Sequence, residues 1–177
     1  MAEEMQQQQD MYEGKVKATI KEATADQVWP LLADFCGIHR WMPSVETRLD
    51  VGVAGEIGCV RHCATKDLSP VNGESVGWAR ERLTSIDHAS RKLSYVVVDN
   101  NIGWRHYKAE WEVVDEEDAG GCRVEWSFRM EPDEEWGEKP LGPLVASALE
   151  TIARAINEEF LARDDGGQGR YAVDERQ

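Results

Sequence analysis

The chain has no run approaching the ~18 apolar residues that a membrane span requires. Its first ten residues are polar and acidic and hold no apolar core of a signal peptide. A soluble, cytoplasmic protein is the expectation. Basic residues are few: 20 Lys and Arg stand against 34 Asp and Glu, for a net charge of −14. Phosphate backbones and anionic bilayers are met by basic patches, so neither nucleic acid nor membrane insertion is expected. Much of the acid is local, at residues 115–118 and 131–135, and reads as solvated loop. Cysteine is scarce too. Cys36, Cys59, Cys63 and Cys122 form no CxxC, and His39, His62, His88 and His106 are scattered. A zinc site wants close pairs of such ligands, so no metal and no cofactor is expected. Reduced thiols are the expectation for that compartment.

What the chain does have is alternation. Residues 14–21 place Val16, Ala18 and Ile20 on one face and lysines or threonine on the other, a half-buried strand. Thr24 followed by Gln27 is a capping box opening a short helix through Val28, Trp29, Leu31 and Leu32. A second helical turn is expected near residues 35–39. Strands are expected near 44–50, 57–65, 74–86, 91–98, 105–114 and 121–130, parted by turns rich in Gly, Asn, Asp and Pro. A long amphipathic helix then covers roughly 141–163, striped by Leu141, Leu144, Val145, Ala148, Leu149, Ile152, Ile156 and Phe160.

At 177 residues, one domain is expected over 13–163, with a disordered leader at 1–12 and a disordered tail at 164–177. The fold class that follows is α+β. Seven antiparallel strands in sequence form a curved sheet, and the C-terminal helix plugs its concave face. This helix-grip arrangement leaves an internal cavity.

Three strands break their pattern in the same way. Arg61 shares a face with Cys59 and Cys63, Glu81 with Ala79 and Leu83, and Tyr107 with Ala109, Trp111 and Val113. An inward charge costs several kcal/mol unless paired. Arginine, carboxylate and phenol aimed into one apolar space are therefore candidates for work on a ligand.

In order and spacing, several stretches resemble one family: G-K-V-K-A from Gly14, D-Q-V-W-P-L-L-A-D-F from Asp26, H-R-W-M-P-S from His39, and G-C-V-R ending at Arg61. The others are W-A-R-E-R-L from Trp78, the Tyr107 strand and W-S-F from Trp126. Together they are similar to the lachrymatory-factor synthase-like proteins in the plant polyketide-cyclase branch of the Bet v 1/START-like (SRPBCC) superfamily. The likeness spans about residues 14–163. It implies a cofactor-free isomerase that turns an alkenyl sulfenic acid into a thial S-oxide, and it carries catalytic roles onto Arg61, Glu81 and Tyr107. Arg80 stands where the family has lysine, on the outer face, and the loop at 99–105 differs, which puts the cavity mouth and the substrate in question.

The residues themselves suit such chemistry. A guanidinium holds an oxyanion, a poorly hydrated carboxylate moves a proton, and a phenol donates a hydrogen bond or orients the carboxylate. Expected substrate contacts are Cys59, Cys63, Ala79, Leu83, Tyr95, Trp104, Trp126, Phe128, Leu149 and Ile152, with Trp104 as lid. The cysteines read as small wall residues, since no base lies nearby in sequence. Two readings stay open: an isomerase, cyclase or dehydratase on a small apolar substrate with one ionisable oxygen, and a non-catalytic carrier of a hydrophobic plant metabolite. A wide, two-mouthed cavity with the Arg61–Glu81 pair locked together would favour the carrier. A small cavity giving one ligand access to both would favour the enzyme. A pure interaction protein would need an exposed apolar patch, which the sequence does not reveal. A monomer or weak dimer is expected.

Overall fold

Period-two alternation decides the longest strands. In β6 (Arg105–Glu116), Tyr107, Ala109, Trp111 and Val113 are buried, while His106, Lys108 and Glu110 are exposed. β7 (Gly121–Glu131) buries Cys122, Val124, Trp126, Phe128 and Met130 in the same way. The computed structural model describes residues 12–116, 120–131 and 133–168. The other strands are β1 (Glu13–Ile20), β2 (Val45–Val51), β3 (Val60–Thr65), β4 (Gly77–Asp87) and β5 (Lys92–Asn100). Helix α1 (Ala25–Ala33) and a 3-10 helix (Phe35–Arg40) link β1 to β2, and α2 (Leu141–Gln168) follows β7.

All seven strands form one antiparallel sheet in the order β1-β7-β6-β5-β4-β3-β2. Consecutive strands β1 and β2 thus lie at opposite edges, and β1 pairs only with β7, from Glu13↔Arg129 to Ile20↔Cys122. The long helix lies along β1, and its apolar residues join those of the concave face in one core. This is the expected helix-grip fold.

Local chemistry sets the ends of α1. Thr24 Oγ1 accepts from the Gln27 amide at 3.2 Å and Gln27 Oε1 accepts from the Thr24 amide at 3.0 Å. Thr24→Ala is expected to lose about 1 kcal/mol. Thermal unfolding should show this as a fall in Tm of roughly 2–4 °C.

Three expectations change. Helix α2 continues through Gln168, so residues 164–168 are helical rather than disordered tail. A solvated turn needs no apolar stripe, and an i,i+4 pair of Arg163 with Glu159 at 3.3 Å supports it. Tyr12, placed in the leader, is buried and donates its hydroxyl to the Gly137 carbonyl at 2.8 Å. The rest of the leader, 1–11, and of the tail, 169–177, lie outside the described residues. Finally, Leu49, Val51, Val53 and Ile57 are exposed along the end of β2 and the loop after it, an apolar stretch the sequence pattern did not reveal. Among the described residues no helix is long and apolar enough to cross a membrane.

Candidate active site

Antiparallel register brings the first two candidates face to face. Arg61 on β3 is the direct partner of Glu81 on β4, as Cys63 is of Ala79. Both charged residues are buried, at 3% and 8% exposure. Arg61 Nε meets Glu81 Oε2 at 2.6 Å, and Arg61 Nη1 donates to the Phe35 carbonyl at 2.7 Å. The guanidinium also lies 3.8 Å from the Phe35 ring centroid and 5.0 Å from that of Tyr95. A buried cation is tolerated only with such paired and face-on partners. Burial would lower the Arg61 pKa, but the Glu81 carboxylate, with Cys63 and Tyr95 adding to it, outweighs burial and holds the guanidinium charged.

Irregularities in the ladder flank the site. The β4–β5 register shifts between Arg80 and Glu81 and again between Leu83 and Ser85. The β6–β7 register shifts between Arg105 and Lys108, where His106 takes φ 51°. Bulges bend a strand and re-aim its side chains, and Glu81 and Tyr107 each sit at such an irregularity. Tyr107 is buried and stacks on Trp104 with centroids 4.6 Å apart at 21°. It makes no hydrogen bond to Arg61 or Glu81, so it does not orient the carboxylate directly, contrary to one expected role; β5 stands between its strand and β4 in the sheet. Burial first, and the Glu81 charge second, push the Tyr107 phenol up. Burial does the same to Tyr95, with Tyr107 adding to it. Both phenols are neutral donors at ordinary pH.

A cavity of about 300 Å³ opens between the concave face and α2. Its wall includes Arg61, Glu81 and Tyr107, and also Cys63, Ala79, Tyr95, Trp104 and Trp126 among the expected contacts. Cys63 Sγ lies 3.8 Å from Glu81 Oε2, and burial, with that carboxylate adding, pushes its thiol up to about 12. A thiol this hard to ionise is wall, not nucleophile.

The other expected contacts are core rather than wall. Cys59 is buried against Gly52, before β3 begins, and Leu83 lies at the second β4 irregularity. Phe128 fills the space over Gly14, where an added Cβ would stand 3.0 Å from its ring. Leu149 and Ile152 belong to the deepest stripe of α2, with Leu141, Val145 and Ile156, which faces into the core. The cavity instead receives the adjoining stripe, Leu144, Ser147, Ala148 and Thr151, with Val145 bordering both. One residue is about 100° of helix rotation, enough to exchange the two stripes.

Trp111 is wall as well, missed as a contact although it shares the Tyr107 face four residues on. Phe35, which holds Arg61 by carbonyl and ring, was also missed. No local signal in its own segment announces that contact. Among the described residues, no group of three or more His, Cys, Asp or Glu is placed to hold a metal ion.

The polyketide cyclase / dehydrase and lipid transport family matches residues 11–163. Among solved structures, XoxI of Bacillus cereus superposes with a TM-score of 0.67 at 22% identity, over 86% of this chain and 98% of that one. A Thermobifida fusca protein gives 0.61 at 26% identity, covering 81% and 92%. Major latex-like protein 151 of Panax ginseng gives 0.64 at 20% identity, covering 85% and 99%. At such identity, the Bacillus and ginseng likenesses speak for the fold alone.

Proposed function

The chain belongs to the polyketide cyclase / dehydrase and lipid transport family, and from that premise we propose that its cavity houses a cofactor-free proton transfer within one small, largely apolar substrate. The observation that carries this reading is the Arg61–Glu81 pair, set in the wall of an apolar cavity of about 300 Å³. The pair's mutual bond uses Nε and Oε2, and Nη1 is taken by the Phe35 carbonyl, so a ligand would meet Nη2 and Oε1.

Arg61 would hold an oxygen that is anionic in the transition state. Glu81, starting as carboxylate, would take a proton from one atom of the substrate and return it to another. The neutral Tyr107 would donate a hydrogen bond to the substrate rather than to Glu81. The proton stays within substrate and Glu81, so the step needs no redox partner and no cofactor. Isomerisation, cyclisation and dehydration all use these parts. The resemblance in sequence points to one of them: an alkenyl sulfenic acid loses its O–H proton to Glu81 and gains one at carbon, becoming a thial S-oxide.

A second reading is a carrier of a hydrophobic metabolite. The closed 2.6 Å pair, with Arg61 tied further to Phe35, supports it, since both groups are already engaged. The deciding test supplies 1-propenylsulfenic acid from alliinase and follows thial S-oxide directly, with Glu81→Gln and Arg61→Leu in parallel. Product from wild type that is lost in the folded variants supports the enzyme. No product from well-folded wild type sinks the sulfenic acid reaction, and identification of what co-purifies in the cavity then separates another isomerase from a carrier.

A further inference from the structure

Strand β2 pairs with β3 on one side, and among the described residues the strand order gives it no neighbour on the other. Glu46 and every residue from Arg48 to Val51 are exposed. Apolar exposure gathers at the same place. Seven large apolar side chains are exposed among the described residues, and four of them, Leu49, Val51, Val53 and Ile57, lie on this edge or in the loop after it. Their exposure runs from 42% at Leu49 to 64% at Ile57. A free edge presents unmatched backbone N–H and C=O groups, and chains commonly guard it with charges or a bulge. Here the bulge comes late. The β2–β3 register holds from Val45↔Thr65 to Leu49↔Arg61 and shifts only between Leu49 and Val51.

The charges on this edge select a partner. Within the regular stretch, Val45, Thr47 and Leu49 share the face of Cys63 and Arg61, while Glu46 and Arg48 share that of His62. No ion pair among the described residues uses Glu46 or Arg48. A second copy added antiparallel about a two-fold axis sets residues of like face opposite each other, so the axis passes through a residue. Centred on Glu46, it sets that carboxylate on itself. Centred on Arg48, it sets arginine on arginine and Glu46 on the partner's Asp50. Both registers oppose like charges, which destabilises a ladder. Centred on Val45, it leaves both charges unmatched. Centred on Leu49, it matches Arg48 with the partner's Asp50. That register runs through the bulge, and it uses a carboxylate that Arg80 Nε already holds at 2.6 Å. Centred on Thr47, it uses only the regular stretch. Each Glu46 then meets the partner's Arg48, and each Leu49 the partner's Val45.

We propose that β2 is the docking edge for a second copy of this chain, paired antiparallel about a two-fold axis at Thr47 so that one sheet runs through the dimer. Two symmetry-related Glu46–Arg48 pairs close one face of the junction, and two Val45–Leu49 contacts close the other. Past the strand, the exposed apolar loop approaches the partner's Met42 and Pro43. Ser44 and Val45 also line the cavity, so the partner's strand stands at the cavity's rim. The proposal is independent of turnover and holds for enzyme and carrier alike.

Sedimentation velocity on the full-length chain tests it. One strand pair and a loop make a small interface and hence a weak dimer, so wild type should pass from monomer to dimer between about 10 µM and about 1 mM. Arg48→Glu and Glu46→Arg each turn both cross-strand pairs into like-charge pairs. Each variant alone should dimerise at least ~10-fold more weakly than wild type. Mixed one to one, they again oppose Glu to Arg at both positions, and a heterodimer of about wild-type strength should return. The Glu46 variant also reports register, since an axis at Leu49 would leave that residue without a charged neighbour. A wild type that stays monomeric throughout, a single variant that still dimerises like wild type, or a mixture that does not recover overturns the proposal. Both side chains are exposed, and circular dichroism verifies each fold. Should a variant misfold, amide exchange in wild type decides. Exchange across residues 45–49 should slow as concentration rises, and unchanged rates there overturn the proposal alone.

Discussion

Glu81→Gln is expected to lower kcat by about 10²- to 10⁴-fold, the usual contribution of a positioned acid or base. Glutamine keeps the length of the side chain and an acceptor oxygen for Arg61 Nε, so the cavity should hold its shape and KM should change far less than kcat. Arg61→Leu should act differently. It removes the partner of the developing oxyanion and leaves Glu81 uncompensated beside Cys63, so turnover and stability fall together. Steady-state kinetics on whichever substrate the protein turns over, with circular dichroism on each variant, checks both. A folded Glu81→Gln enzyme within threefold of wild type would remove Glu81 from the proton path.

The same pair predicts a large stability effect of opposite character. Glu81→Leu leaves a guanidinium at 3% exposure with no counter-ion. The Phe35 carbonyl and ring stay in place, but they do not neutralise the charge. The expected loss is about 3–5 kcal/mol, or roughly 10 °C in Tm for a domain of this size. Arg61→Met combined with Glu81→Leu should recover most of that loss, because two apolar side chains need no desolvation offset. Urea unfolding of both single variants and the double variant completes the cycle. A double variant no more stable than Glu81→Leu would mean that the pair stabilises the fold in its own right. Recovery of stability without activity would mean that the pair is kept for its chemistry.

Strand parity is local, which is why Arg61, Glu81 and Tyr107 could be placed on the concave face from their neighbours alone. Their mutual arrangement is not local. The pairing of Arg61 with Glu81 depends on β3–β4 register across a loop, and the register shift around His106, next to Tyr107, is announced by no alternation pattern. Helix α2 shows the same limit. Its apolar residues are wide enough in arc to suit two rotations about the axis. Contact with β1 selects the one that buries Leu149 and Ile152 and turns Ser147 and Thr151 to the cavity.

The pairing of β1 with β7 governs how the molecule must be made. Ile20 waits for Cys122, about 100 residues later, before its strand has any neighbour. At ribosomal speeds of ~5–20 residues per second, that is an interval of roughly 5–20 s. Throughout it, the first strand to emerge is an unpaired edge with one apolar face, open to chaperones or to the wrong neighbour. The meander from β2 to β6 can assemble as it appears. The edge that α2 lies along, and with it a closed chamber for any ligand, is completed last. The cavity is therefore a property only of the finished sheet, and a nascent chain stalled before β7 would have the strands of Arg61 and Glu81 but no chamber around them.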